Sequence, residues 1–531
     1  MRKRIMFLLV CITVQIGQLY AQQSVVFPDE FNSSLAGKEI VITNPMYVIQ
    51  TFYDDPYDNI YMSDELLPSP TDVVLPGTND YYTMYSTQKE HSLKVVSSYS
   101  LGGAEKFLRV GAYTSQLKGK VSYSKGYYTL TLTEKPLLAG NERPAAPAAL
   151  ASANLKIVGF NLEFYMASPS NWDVSYGAKS ASEFAKQRTK IGAALKGLDA
   201  DIYSFCEVEE GNYSLRDLAD LLNEVTSSNR YTYVDDGDSE VTTYTKNVFI
   251  YNKEKVKPYL NLKTYDGYLA KRHVAQCFEM LSNGERLIVS MNHLKSKGGS
   301  GKGENADQGD GQGQYNALRV SEANDCLTFF DELKLYYGDT DILVLGDLNA
   351  YSQEDPLQVF YNAGFTNELK RFSPTAYSYS YRGRVGNLDH ALTTTSLTEQ
   401  IAGATIWNIN AAESDYFGYS NTSGYAANPY RCSDHNPVIV SLHLGSTADG
   451  VSTTTASPIT FFKDAADANY QVMGPSIERV EVVDSMGRVV ADYKNATSST
   501  SVNVSTTNLQ RGLYIVRVST PVKDYAYKLL K

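Results

Sequence analysis

At 531 residues the chain exceeds one typical domain, and an apolar share of 43% lets it bury a sizeable core. A formal net charge of −11 excludes a protein that holds DNA or RNA mainly through a basic surface. It does not exclude an enzyme acting on phosphates, because bound cations supply positive charge locally.

Met1-Arg-Lys-Arg4 followed by the apolar run Ile5–Val14 has the basic start and short hydrophobic stretch of a secretory signal, with cleavage expected after Ala21. That run is too short to span a membrane and no later one is long enough, so export without a transmembrane segment is expected. Val10 before Cys11 makes a poor lipid-attachment site. The other cysteines are Cys206, Cys277, Cys326 and Cys432. Export permits disulfides among them, but their wide spacing and the apolar runs around Cys206 and Cys277 favour buried thiols. No CxxC or Cys/His cluster suggests zinc.

Residues 22–138 alternate short β-rich runs with turn signals, at 39–42, 46–49, 107–110, 119–123 and 127–132, which reads as a small antiparallel barrel or sandwich. Its many tyrosines are either ordinary strand residues, as strand propensity favours, or faces on which bases stack. A Pro/Ala-rich linker occupies 139–153. From 154 to 444 strands alternate with helical segments. Strands are expected at 155–160, 201–206, 248–251, 274–280, 286–291, 342–345 and 438–444. Helices are expected at 181–198, with Phe184, Ile191, Leu195 and Leu198 on one face, at 215–225 and at 317–335. This is an α/β pattern. A flexible linker follows over 445–457, and 458–531 alternates at period two, as a small, separately folded β-sandwich does.

In the central region polar residues recur where apolar strands run out. They are Asn161 and Glu163, Glu207, Asn292-His293, Asp347 and Asn349, Asp389-His390, and Ser433-Asp434-His435-Asn436. The clearest case is Asp341–Tyr351, where Ile342–Leu345 reads as a strand buried on both faces that runs into Gly346, Asp347 and Asn349. Alone, Gly-Asp-x-Asn is also ordinary turn chemistry; its recurrence at other strand ends decides for a site. If those ends converge, Glu207, Asp347, Asp389 and Asp434 crowd together, and their repulsion calls for a cation. All-oxygen ligands suit Mg²⁺ or Mn²⁺ rather than zinc.

The ordered set Asn161, Glu207, Asn292-His293, Gly346-Asp-Leu-Asn349, Leu388-Asp389 and Ser433-Asp-His435 resembles the endonuclease/exonuclease/phosphatase superfamily, the DNase I-like fold, over residues 154–444. His293-Leu-Lys-Ser-Lys-Gly298, the loop Asp307–Gly313 and Glu354-Asp-Pro356 further resemble its secreted bacterial extracellular nuclease branch. That branch often carries an OB-like domain in front, which matches 22–138. The resemblance implies an α/β four-layer sandwich with a metal site at one edge. In it Glu207 is the principal metal ligand, with Asn161 and Asp434 nearby. Asp347 and Asn349 orient the attacking water and the phosphate, His435 held by Asp389 is the acid/base dyad, and His293 stabilises the phosphorane or helps the leaving oxygen. Whether Asp347 or His435 takes the proton from water stays open. Asn436 stands where many relatives have Asp, and Cys432 precedes the Ser-Asp-His triplet; tuning rather than loss is expected.

His273 and His443 read as core or surface histidines, and His390 should face away from Asp389 by strand alternation. Lys295 and Lys297 either meet substrate phosphates or are simply solvated. The Asp307–Gly313 loop has acids and glycines suited to Ca²⁺ near Asp307 and Asp310, without EF-hand spacing. The tail, with Val483-Asp-Ser-Met-Gly-Arg488 and Leu509-Gln-Arg-Gly-Leu-Tyr514, resembles the C-terminal sorting domain of type IX secretion; the alternative is a plain β-sandwich binding module. The expectation is a secreted, monomeric, metal-dependent phosphodiesterase, a nuclease acting on extracellular DNA, with RNA left open as a further substrate. Two rivals are the same chemistry on a phospholipid headgroup or a sugar or inositol phosphate, and a non-enzymatic binding protein on a degenerate scaffold.

Overall fold

The computed structural model describes residues 23–51, 59–102, 108–172, 176–238, 240–265, 272–445, 460–463, 470–484, 488–507, 509, 513–520 and 524–530. The expected leader at 1–21 lies outside them, as does all of the second linker except Gly445.

Two six-stranded mixed sheets form the centre of the molecule. One runs, in spatial order, Tyr231–Tyr233, Thr245–Asn252, Ile202–Glu209, Leu155–Tyr165, Val438–Leu442, Ile401–Ile406. The other runs Val256–Thr264, His273–Met280, Arg286–Asn292, Ile342–Asp347, Asp389–Thr393, Thr366–Asn367. Strand alternation explains how they stack. Along the first sheet, Leu155 and Ile157 join an apolar cluster with Leu343, Leu345, Val289 and Met291 of the second, so these faces pack together. Val158 and Phe160 point the other way, onto Ile191, Leu195, Leu218 and Leu222 of the helices Ala181–Leu198 and Tyr213–Thr226. Ile342 and Val344 likewise leave the shared core for Phe330, Leu333 and Phe360 of the helices Asn316–Tyr337 and Asp355–Asn362. Helices, sheet, sheet, helices: the four layers follow from strands that are apolar on both sides. Each such side chain, fully buried, contributes about 2 kcal/mol.

The helix expected at 181–198 is present over those residues. Ser180 caps it, its side chain accepting from Glu183 N, and Asp199 ends it in the left-handed region at φ 42°.

The N-terminal region departs from expectation in three places. It forms an eight-stranded sheet around its own core of Ile40, Ile42, Val48, Ile60, Leu93, Val95, Val121 and Leu130. That sheet is not wholly antiparallel, since Gln23–Val25 pairs parallel with Glu39–Ile42 and Leu93–Val96 pairs parallel with Tyr127–Leu132. A twelve-residue helix, Asn79–Glu90, interrupts the strands. It buries only Tyr81 and Gln88, so it has no apolar period to betray it. The run expected at 107–110 is not a strand over its described residues 108–110. Their amides go elsewhere, Arg109 N to Asn141 Oδ1 at 3.0 Å and Val110 N to Ala412 O at 2.8 Å. In the tail the described strands form one five-stranded sheet about Val472, Val480, Val482, Val504, Val516 and Val518.

Cys206, Cys277, Cys326 and Cys432 are all buried and unpaired with one another, as their apolar surroundings suggest. No helix among the described residues is long and apolar enough to cross a membrane.

Candidate active site

The polar residues gather at one edge of the paired sheets because the strands carrying them run in opposite senses. Asn292 and Asp347 end their strands, whereas Asp389 begins a strand antiparallel to that of Asp347, so that Asp347 and Asp389 are register partners. Asp434 and His435 lie just before Val438, the residue opposite Gly159. Asn161 and Glu207 are not at strand ends, contrary to expectation. Both sit inside longer strands, at an irregularity where two steps along one strand (Cys206 to Val208) face four on the other (Asn161 to Tyr165). The extra residues throw Glu163, Phe164 and Glu207 into the left-handed region, with φ of 50°, 58° and 60°. The bulge re-aims Glu207 toward the edge, at a cost of about 1 kcal/mol or more for each strained residue.

Gly346 does comparable work on the second sheet. Its φ is +133°, and a Cβ there would stand 1.8 Å from the carbonyl oxygen of Asn292, so only glycine lets the backbone pass before Asp347. Asn349 is also left-handed, at φ 49°, with its N–H donating to Asp347 Oδ1 at 2.9 Å and its Nδ2 to Leu294 O at 3.1 Å.

The side chains then meet. Asn161 Nδ2 donates to Glu207 Oε1 at 3.2 Å and to Asp347 Oδ2 at 3.3 Å, bridging the two sheets. His293 Nε2 lies 3.6 Å from Asp347 Oδ2 and 3.8 Å from Glu207 Oε1. His435 Nδ1 donates to Asp389 Oδ2 at 2.6 Å, which leaves Nε2 directed at Asp347 Oδ2, 3.7 Å away, and Asp434 Oδ2, 3.9 Å away. Asp389 is fixed in turn, its N–H donating to Ser378 Oγ at 3.0 Å. Catalytic candidates His293, Asp347, Asn349, Asp389 and His435 thus converge with Asn161, Glu207 and Asp434.

Charge is poorly balanced there. Burial, then the nearby Asp434 and Asp347 carboxylates, push Glu207 up to about 7; burial, Asp389 and Asp434 push Asp347 up to about 6 against the opposing charge of His435. Glu163 rises to about 8, through burial and Asp434. Burial by itself would lower His435, but Asp389, Asp434 and Asp347 hold it well above the ordinary imidazole range. His293 is held well below that range by burial and by the charges of Arg272 and His435, so it is neutral. Among the described residues no three His, Cys, Asp or Glu side chains stand close enough together to enclose a metal ion. The donor chemistry nevertheless fits one, since a divalent cation would offset the burial and mutual repulsion that raise Glu207 and Asp347.

The remaining candidates are placed differently. Lys297 Nζ is taken up by Glu354 and donates to Gln312 O at 2.7 Å, whereas Lys295 stays half-exposed, 4.4 Å over the ring of Tyr315. Asp307 and Asp310 each accept from a backbone amide of their own loop, Gly309 N and Gln312 N. His390 faces away from the site, bonding Ala350 O at 2.8 Å. His273 is buried beside Asn292, and His443 is exposed, 3.0 Å from Ser152 O.

Two residues escaped the sequence reading. The ring of Tyr379 lies 4.7 Å from that of His435, and Ser378 Oγ accepts from both Leu388 N and Asp389 N at 3.0 Å. Their signal was the alternation Tyr377-Ser-Tyr-Ser-Tyr381 just ahead of Leu388-Asp389. Asn436 likewise proves structural. Its Oδ1 accepts from Ile409 N, Asn410 N and Ala411 N at 3.0, 2.8 and 3.1 Å, and its Nδ2 donates to Tyr377 O and Asn408 Oδ1 at 3.0 Å.

A buried imidazole–carboxylate dyad facing a second carboxylate, with neutral and amide donors around it, is equipped for phosphoester hydrolysis. The chain belongs to the endonuclease/exonuclease/phosphatase family, whose model matches residues 160–435, a stretch holding every converging residue. A secretion system C-terminal sorting domain matches residues 465–531, so the chain carries a type IX sorting tail that directs it to the cell surface or the extracellular space. Similar solved structures include an endonuclease/exonuclease/phosphatase from Bacteroides vulgatus (15% identity, 55% of this chain and 98% of that one, TM-score 0.37). They also include a mannosyl-6-phosphatase from Bacteroides thetaiotaomicron (15%, 54% and 99%, TM-score 0.36) and the human Nocturnin catalytic domain (12%, 56% and 96%, TM-score 0.36). No curated protein matches the chain.

Proposed function

We propose that this protein is a secreted, divalent-metal-dependent phosphodiesterase that hydrolyses extracellular nucleic acid, DNA first and RNA as a second substrate. The observation that carries the reading is the series Asp389–His435–Asp347, a hydrogen bond of 2.6 Å followed by an ion-pair separation of 3.7 Å, beside Glu207. Asp389 holds one tautomer of His435 and favours its charged form, so Nε2 carries a proton that the imidazole can give to a leaving oxygen and regain afterwards. Asp347 lies between His435 Nε2 and His293 Nε2, where a water and a phosphate oxygen are both in reach. His293, kept neutral, can donate to a phosphorane oxygen without adding net charge. The amide of Asn161 fixes the facing oxygens of Glu207 and Asp347. Mg²⁺ or Mn²⁺, held by Glu207 with Asp434 and with Asn161 once its amide turns Oδ1 toward them, would supply the positive charge that the phosphate needs and lower the pKa of an attacking water.

A nucleic acid is supported by the hairpin Tyr379–Tyr381/Arg384–Gly386. Tyr379 lies against the catalytic imidazole, and two residues on, Tyr381 is 53% exposed with Arg382 over its ring at 5.1 Å. An exposed ring with a guanidinium beside the dyad suits a base and its phosphate.

The test incubates the full chain with supercoiled plasmid, linear DNA, RNA and sphingomyelin, in Mg²⁺, Mn²⁺ or chelator, beside His435→Ala and Asp434→Ala. Cation-dependent nicking lost in both variants supports the assignment. Nicking that survives both defeats the site, and turnover of sphingomyelin alone defeats the substrate.

A further inference from the structure

The stretch 67–72 of the N-terminal region is stitched into the catalytic half. Val385 N donates to Leu67 O at 2.9 Å and Ser69 N to Val385 O at 2.7 Å, at the foot of the hairpin that holds Tyr379. Gln353 N donates to Thr71 O at 2.9 Å, and Thr71 Oγ1 donates to Glu354 Oε1 at 2.7 Å. Asp72 takes the largest share. Its Oδ1 accepts from Ser352 N at 3.1 Å, Ser352 Oγ at 2.6 Å and Asn387 N at 3.4 Å, while Oδ2 pairs with Lys370 Nζ at 2.6 Å. The carboxylate is only 7% exposed.

The placement of its partners gives Asp72 a role. Ser352 is three residues beyond Asn349, and Asn387 is two before Asp389. One carboxylate from outside the matched family region therefore ties together the two segments that present Asp347 with Asn349 and Asp389. A neutral amide cannot replace it. Asn would turn N–H toward Lys370 or toward the three donors at Oδ1, and Ala would leave the three buried donors of Ser352 and Asn387 unanswered and half-buried Lys370 without its counter-charge.

We infer that Asp72 is a positioning residue for the hydrolysis proposed above, and that the N-terminal region is part of the active site's frame rather than a detachable collector of substrate. The inference rests on the phosphodiesterase reading for its kinetic arm only.

The experiment compares full-length wild type with Asp72→Ala, Asp72→Asn and the milder Ser352→Ala. It measures kcat and KM on bis(p-nitrophenyl) phosphate with Mg²⁺, the melting temperature, and amide hydrogen exchange. Misplacement by about 1 Å costs on the order of a hundredfold in rate, so Asp72→Ala should lower kcat about that much with KM nearly unchanged. Ser352→Ala should lower kcat several-fold while melting within a few degrees of wild type. Exchange should speed across 347–353 and 385–390 in the Asp72 variants but not across 155–165. Unchanged kcat in a folded Asp72 variant, or faster exchange confined to 67–74, overturns the inference. A wild type without phosphodiesterase activity would sink the functional reading alone, leaving the exchange pattern to decide whether Asp72 braces both segments.

Discussion

His435 Nδ1 sits 2.6 Å from Asp389 Oδ2, and that bond leaves Nε2 as the only nitrogen free to meet a reacting group. Tyr379 closes over the ring at 4.7 Å and Ser378 fixes the Asp389 backbone, so the dyad is held from both ends. Asp389→Asn keeps the shape but offers an amide donor to an N–H donor and removes the charge that holds His435 above its usual range. Hydrolysis should fall by about 10³-fold in kcat with little change in melting temperature. Plasmid nicking rates with matched melting curves check this.

Cation removal should act on stability as well as on rate. Glu207, Asp347 and Asp434 repel one another, so a chelated protein should melt lower than one in Mg²⁺ or Mn²⁺. At a cation concentration of about 100 times Kd the difference is about 2.7 kcal/mol. Glu207→Gln should abolish that cation-dependent shift along with activity, whereas Asp307→Asn should leave it intact. Thermal melts across a Mg²⁺ titration distinguish them.

Asn436 is satisfied at both ends of its amide, and the structure predicts a cost for replacing it by Asp. Oδ1 would keep its three N–H donors, but the new second oxygen would face Tyr377 O and Asn408 Oδ1, acceptors both. Asn436→Asp should therefore be destabilised by a few kcal/mol at neutral pH. It should recover part of that loss as the pH falls and the carboxyl gains a proton to donate. Chemical denaturation at pH 5 and pH 8 reads both.

His273 sets an acid limit. Burial, then Arg272, lower it to about 4 from an unfolded value near 6.5. As pH falls below 6.5 the unfolded chain takes up the proton while the folded chain does not until about 4. The contribution is therefore present above 6.5 and is lost across that window. Going from pH 7 to pH 5 should cost about 2 kcal/mol through this residue alone. His273→Gln should lose less stability than wild type over the same interval, whatever its stability at pH 7. Equal losses of unfolding free energy from pH 7 to pH 5 in wild type and His273→Gln, read by urea denaturation, would refute the assignment.

Much of the centre was legible because strands apolar on both sides declare themselves. Ile342–Leu345 and Arg286–Met291 read as strands and are buried strands, and the helix at 181–198 was read from its periodic apolar face. The helix Asn79–Glu90 was not legible, since it buries two residues and carries no stripe. The run around Arg109 misled for the opposite reason: its β-like residues spend their amides on Asn141 and Ala412 rather than on a ladder partner.

The order of residues placed polar side chains after apolar runs, and the resemblance of that ordered set to a known family pointed to the candidate dyad, carboxylates and amides. A second resemblance marked the tail as a sorting domain. Folding decided what those side chains do to one another. Whether Glu207 leaves a strand end or a bulge depends on register between Leu155–Tyr165 and Ile202–Glu209. Whether Lys297 is open to substrate depends on Glu354, far away in sequence, and whether Asp72 belongs to the site depends on partners nearly three hundred positions on. Local composition carries no trace of such pairings, because each is made by backbone paths that only the packed sheets bring to one edge.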